Sequence, residues 1–204
     1  MADDSPAIVT ELHNEIAVLR FNKPAKRNPL STSTLQDLET KFSELIALPE
    51  IKVIVFTGTA DVFASGADLQ ELSRLEHNSA FEFSHLGQRV FQTISDAKQL
   101  TIAAINGYCM GGALDLALAC DIRVASRTAV FAHPGVRLGI ITGWGGTQRL
   151  PRLIPRTAAL ELLLTGRRVD AEEALKMGLV TSVSEDAISH AFSIAHACIK
   201  KIAV

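Results

Sequence analysis

The stretch Thr101 to Arg123, TIAAINGYCMGGALDLALACDIR, constrains this chain more than any other. An apolar run breaks between Gly107 and Gly112 and resumes with helical spacing around Asp115. This predicts a strand, a glycine turn and the first turns of a buried helix. Glycines at such a turn let a backbone approach a ligand closely, and a helix start leaves amide N–H groups without internal partners. The turn is therefore suited to an oxyanion, although close packing alone also explains glycines there. A membrane span is excluded for this run because Asn106, the Gly111-Gly112 pair and Asp115 interrupt it.

With 204 residues, 48% of them hydrophobic, the chain can bury a sizeable core, which excludes a disordered protein. A net charge of −2, with Lys and Arg scattered, leaves no broad footprint for nucleic acid. The opening MADDSPAIV is acidic and lacks the layout of a secretory signal, so a cytoplasmic location is expected unless a targeting segment is missing from this sequence. Cys109, Cys120 and Cys198 have no metal-ligand spacing and read as buried free thiols, so no metal site is expected.

Along the chain, Ala7 to Asn22 alternates around His13-Asn14-Glu15 as an antiparallel hairpin would. The basic, proline-containing KPAKRNPL precedes Ser31-Thr32-Ser33, which offer N-caps for a helix over Leu35, Leu38, Phe42, Leu45 and Ile46, ending near Pro49. Val53 to Phe56 is wholly apolar, as expected of a parallel strand covered on both faces. A second glycine turn, FASGAD, leads into Leu69, Leu72 and Leu75, so a ββα-like unit is read twice. His77 to Gln88 is the least regular part and reads as a flap over a site or a plain surface loop, with helical period returning at Phe91 and Ile94. Asp121 to Ala125 and Ala129 to Ala132 read as strands. The passage LGIITGWGGTQRLPRLIP reads as a site-forming loop, with Trp144 a pocket wall. Helices are predicted from Leu160 to Gly166, from Ala171 to Met177 behind an Asp170 cap, and from Ala187 to Ile202, with a strand at Leu179 to Val183. Asp68 and Asp121 are expected to cap or brace turns.

Taken in order, PAKRNPLS, FASGADLQEL, INGYCMGGALDLALACDIRVAS, LGIITGWGGTQRLPRLI and LTGRRVDAEEALKMGLV resemble the crotonase superfamily, the enoyl-CoA hydratase and isomerase family, over nearly the entire chain. The resemblance implies an α/β fold, a spiral of repeated ββα units over residues 1–185. Residues 186–204 would begin a C-terminal helical region that is longer in the family. It implies an acyl-CoA thioester as substrate, coenzyme A being required only as part of it, and a homo-oligomer, trimer or hexamer, with no membrane or nucleic-acid partner. The family's oxyanion hole, two main-chain N–H groups, falls here on Ala67 and Gly112. Coenzyme A would lie across Ala25, Lys26 and Arg27 and along the backbone of Ser65, Ala67, Asp68 and Leu69, although exposed basic residues such as Lys26 and Arg27 also suit an ordinary solvated loop.

The sequence departs from that pattern where family hydratases carry two glutamates: one position is Asp115 and the other is Gly135. Gly143, an aspartate in some family isomerases, is also without an acid. Two carboxylates suit hydration, because one activates water while the other handles the α-proton. A single carboxylate suits a double-bond shift along an enolate, so Asp115 is the candidate acid/base, or else simply an acid favoured by the helix dipole. His133 is the other titratable candidate, or a structural histidine before a proline. The expected activity is isomerisation or weak hydration of an enoyl-CoA. The alternatives are a catalytically impaired acyl-CoA-binding or assembly protein, and a thioester hydrolase or decarboxylase.

Overall fold

A computed structural model describes residues 5–202. The opening hairpin forms as expected, β1 (Ile8–His13) pairing antiparallel with β2 (Ile16–Phe21) across a two-residue turn in which Asn14 takes φ 55°. A single 3₁₀ turn (Pro24–Lys26) and the short β3 (Pro29–Leu30) lead to α1 (Thr32–Ala47). Ser31 caps this helix by accepting from Thr34 N. Then comes β4 (Val53–Thr57), buried throughout and parallel to β2.

From here a pattern repeats. β4 is followed by the short β5 (Val62–Ala64), β6 (Gly66–Ala67) and the helices α2 (Leu69–Leu72) and α3 (His77–Ser95). β7 (Leu100–Ile105) is followed by β8 (Tyr108–Met110) and α4 (Gly112–Ala119). β9 (Ile122–Ser126) is followed by β10 (Val130–Ala132), a 3₁₀ turn (Pro134–Leu138), α5 (Gly146–Leu153) and α6 (Arg156–Thr165). The chain ends in β11 (Val169–Asp170), α7 (Ala171–Lys176), β12 (Ser182–Ser184) and α8 (Ala187–Ile202). The unit read twice from sequence thus has a third copy.

One sheet has the order β1-β2-β4-β7-β9-β12, parallel except for β1, a second of short strands has the order β11-β10-β8-β5, and β3 pairs with β6 apart from both. The six-stranded sheet is apolar on both sides because both are covered. Ile54 and Phe56 belong to the larger core with α1, α3 and α4, while Val53 and Val55 meet Ala187, Ala191 and Ala195 of α8 on the opposite face.

Several expectations are corrected. His77 to Gln88 is neither flap nor loop but the first part of α3, with Phe83, Leu86, Gly87, Val90, Phe91 and Ile94 forming its buried face. The turn after β7 contains a strand, β8, which pairs with both β5 and β10. α6 starts at Arg156, part of LGIITGWGGTQRLPRLIP is helical as α5, and the last strand is confined to Ser182–Ser184. Cys109 and Cys120 are buried thiols, but Cys198 is only half-buried. Met1 to Asp4 of the acidic opening lie outside the described residues, as do Ala203 and Val204.

Candidate active site

The two glycine turns meet. At the first, Gly66 takes φ +86° between β5 and α2, and β6 pairs with β3 so that Ala67 lies beside Leu30. At the second, Gly111 takes φ +54°, donates its N–H to Ala132 O at 2.8 Å and delivers the chain into α4 at Gly112. A side chain on Gly66 would be forbidden twice over: the left-handed φ strains it, and its Cβ would sit 2.5 Å from Met110 O and 2.9 Å from Gly112 N. Backbone from two successive units is therefore in direct contact. Ala67 and Gly112 lie on the wall of one cavity, and as the first residue of α4 Gly112 has an N–H with no acceptor inside its helix.

That cavity, about 300 Å³, also receives Ser65, Leu69, Asp115, His133, Gly135 and Thr142. Its remaining walls are largely apolar, with Leu72, Leu75, Phe83, Ile140, Ile141 and Trp144 prominent, and among the described residues no Lys or Arg lines it. Leu69 and Ile141 are 60% and 63% exposed, so the mouth as well as the interior is greasy. Trp144 is held between two helices: a Cβ at Gly87 of α3 would lie 2.4 Å from its indole, and one at Gly112 of α4 would lie 2.2 Å from it. Its Nε1 donates to Phe83 O.

Asp115 stands in the first turn of α4, wholly buried. Its Oδ2 accepts from the Thr142 hydroxyl, a partner that sequence spacing alone does not reveal. Its Oδ1 is buried without a hydrogen-bond partner and faces His133 Nε2 at 3.5 Å. His133, at the end of β10, is itself 4% exposed, and neither ring nitrogen has a partner. The two do not make an ordinary ion pair, since burial opposes charge on each. It pushes the Asp115 carboxyl up to about 7, against the lowering effects of the Thr142 hydroxyl, the Trp144 backbone and the Arg149 charge. It also drives the His133 imidazole down to about 4, so the ring is neutral near pH 7.

The remaining expected residues are placed differently. Ala25, Lys26 and Arg27 are exposed on the loop before α1 and do not line the cavity. Asp68 does not line it either: its Oδ1 caps α2 through Gln70 N at 2.8 Å and Glu71 N at 3.1 Å. Asp121 braces a turn as expected, accepting from Thr101 N and Oγ1, both at 2.8 Å. Asn28, which the sequence reading passed over, joins the exposed loop to the cavity wall. Buried at φ 50°, it accepts from Lys23 N at 2.7 Å and donates to Val62 O and Phe63 O, each at 3.2 Å, while its carbonyl takes the Ser65 N–H at 3.3 Å. The only signal for it was its place between a basic residue and a proline.

The sequence matches the enoyl-CoA hydratase/isomerase family over residues 11–203. The chain belongs to that family. Among its relatives, crotonyl-CoA hydratase of Syntrophomonas wolfei is 40% identical over 177 residues, covering 86% of this chain and 68% of the relative. The solved structure of Pseudomonas aeruginosa DspI superposes with a TM-score of 0.92 at 35% identity, covering 98% of this chain and 83% of that one. An enoyl-CoA hydratase from Bacillus anthracis superposes with a TM-score of 0.90 at 33% identity, covering 94% of this chain and 76% of that one. The fold is thus crotonase-like, and this is an acyl-CoA enzyme of the enoyl-CoA hydratase/isomerase family. At Gly135, where the resemblance places the second hydratase glutamate, the fit is tight: a Cβ would lie 3.1 Å from both Cγ1 and O of Ile140, so a side chain there requires Ile140 to shift by a few tenths of an ångström.

Proposed function

We propose that this enzyme holds the carbonyl oxygen of an acyl-CoA thioester between the main-chain N–H groups of Ala67 and Gly112 and uses Asp115 to move a proton between carbons, shifting a double bond. When a proton leaves the α-carbon, negative charge grows on the thioester oxygen, and preorganised backbone donors stabilise it at the moment it forms. The observation that carries the reading is the contact of Gly66 with Met110 O and Gly112 N, which seats both donors on one wall with Asp115 one helical turn beyond Gly112. The thioester is that of an uncharged acyl group, because the lining is apolar and offers no cation to a second carboxylate. Coenzyme A follows the exposed Ala25 to Arg27 loop, which Asn28 fastens to the cavity wall. Hydration is the second reading, favoured by the crotonyl-CoA hydratase among the relatives.

The test is proton exchange in D₂O. Asp115→Asn is expected to lower isomerisation and α-proton exchange of a β,γ-hexenoyl-CoA by about 10²- to 10⁴-fold while butyryl-CoA binding by calorimetry stays unchanged. Full turnover in that variant overturns the role of Asp115, and robust hydration of crotonyl-CoA in place of isomerisation selects the second reading.

A further inference from the structure

We infer that His133 and Asp115 work as one proton-sharing pair, with His133 as the positioning residue that takes the place of the carboxylate absent at Gly135. The inference rests on the enolate reading above. Its basis is geometric. Three polar atoms in the cavity wall, Asp115 Oδ1 and both His133 ring nitrogens, are buried without hydrogen-bond partners, and two of them face each other at 3.5 Å. Buried polar atoms are normally satisfied, because leaving one without a hydrogen bond costs the full loss of its hydration. A proton on either atom bridges the two once their 3.5 Å separation shortens to hydrogen-bond length. The other carboxylate oxygen is already fixed by Thr142, so the shared proton sets the remaining freedom of the Asp115 side chain.

The pairing has a definite chemistry. With Asp115 ionised, the imidazole N–H donates to Oδ1 and orients it. When the α C–H bond breaks, its electron pair passes into the enolate, whose oxygen charge the backbone donors hold, and the proton forms an O–H bond on Asp115. The imidazole keeps its Nε2–H and goes on donating to Oδ1, while the carboxyl group holds the transferred proton until it is returned to the γ-carbon. The carboxylate becomes a carboxyl group, the thioester becomes an enolate, and the imidazole stays neutral throughout. The pair carries one transferable proton and leaves no second base for water, so it serves a double-bond shift and not hydration. The Arg149 charge is the other ionisable group acting on Asp115, and Asp115 in turn adds to the rise that burial gives the Cys109 thiol.

The experiment compares wild type with His133→Gln, using β,γ-hexenoyl-CoA in D₂O and following deuterium at the α- and γ-carbons by mass spectrometry. The pairing requires kcat to fall by about 10²-fold with KM within about two-fold of wild type, and γ-deuteration to fall with it. A wild-type kcat in His133→Gln, or a loss confined to KM, overturns the pairing and leaves the enolate reading standing. Wild-type protein that binds butyryl-CoA yet exchanges no α-proton overturns both. Should His133→Gln not fold, nitrogen-15 NMR of the wild-type imidazole decides. The Nε2 resonance must move when Asp115 is replaced by Asn, and an unmoved resonance overturns the pairing.

Discussion

Asp115 shows at the scale of one residue how a candidate catalytic group weakens the fold that holds it. Its carboxyl titrates at about 7 in the folded protein against an ordinary value near 3.8. The native state therefore binds this proton more tightly than the unfolded chain. The associated stability is complete below about pH 4, is lost as pH rises, and amounts to about 4 kcal/mol lost once pH exceeds the folded value. Asn at this position cannot ionise, so Asp115→Asn is expected to exceed wild type by about 2–4 kcal/mol at a pH of about 8 and to match it at about 4. Urea unfolding at the two pH values measures the difference. The candidacy of Asp115 was legible in the sequence because it depends on local spacing behind a glycine turn. Its partners were not: Thr142 and His133 reach it from chain segments that only tertiary structure brings near. Asn28 was illegible for the same reason, since its acceptors lie on β5 and sequence shows only a polar residue in a basic loop.

Among the elements, α3 explains the largest misreading. Its first turns hold His77, Asn78 and Ser79, and Gly87 breaks the apolar face, which together look like a loop. The glycine is required by a distant residue. Trp144 lies so close that a Cβ there would approach its indole to 2.4 Å, and a glycine that serves packing is indistinguishable in one sequence from one that ends a helix. Gly87→Ala should consequently cost stability, by about 1–3 kcal/mol for overpacking, despite the better helix propensity of alanine. It should also perturb Trp144 fluorescence, because the ring is confined on its other side by Gly112. Thermal unfolding and the emission spectrum check the two effects together. The short strand β8 escaped detection for a related reason. Its three residues owe their conformation to β5 and β10, which flank it in space and not in sequence.

On the scale of the whole molecule, the six-stranded sheet separates two cores with different duties. The larger one carries the turns, α4 and the cavity; the smaller one is sealed by α8 through Ala187, Ala191 and Ala195. A change under α8 should therefore alter stability without touching chemistry. Ala191→Leu, at a position with no exposure, is expected to destabilise by about 1–3 kcal/mol while the folded protein keeps its wild-type exchange rate. Denaturant titration with exchange assayed well below the midpoint tests this. The order of the main elements and the apolar strands were readable because each rests on periodicity within one segment, while the α/β spiral was implied by the family resemblance. The closure of repeats upon one another was not, since it is decided by backbone atoms that no side-chain pattern encodes. The contact of Gly66 with Met110 O and Gly112 N has a temporal meaning as well. On the proposed reading neither turn alone makes the oxyanion site, so a partly folded chain with one unit formed would have no place for an enolate. Recovery of α-proton exchange during refolding then acts as a clock for the docking of one repeat against the next.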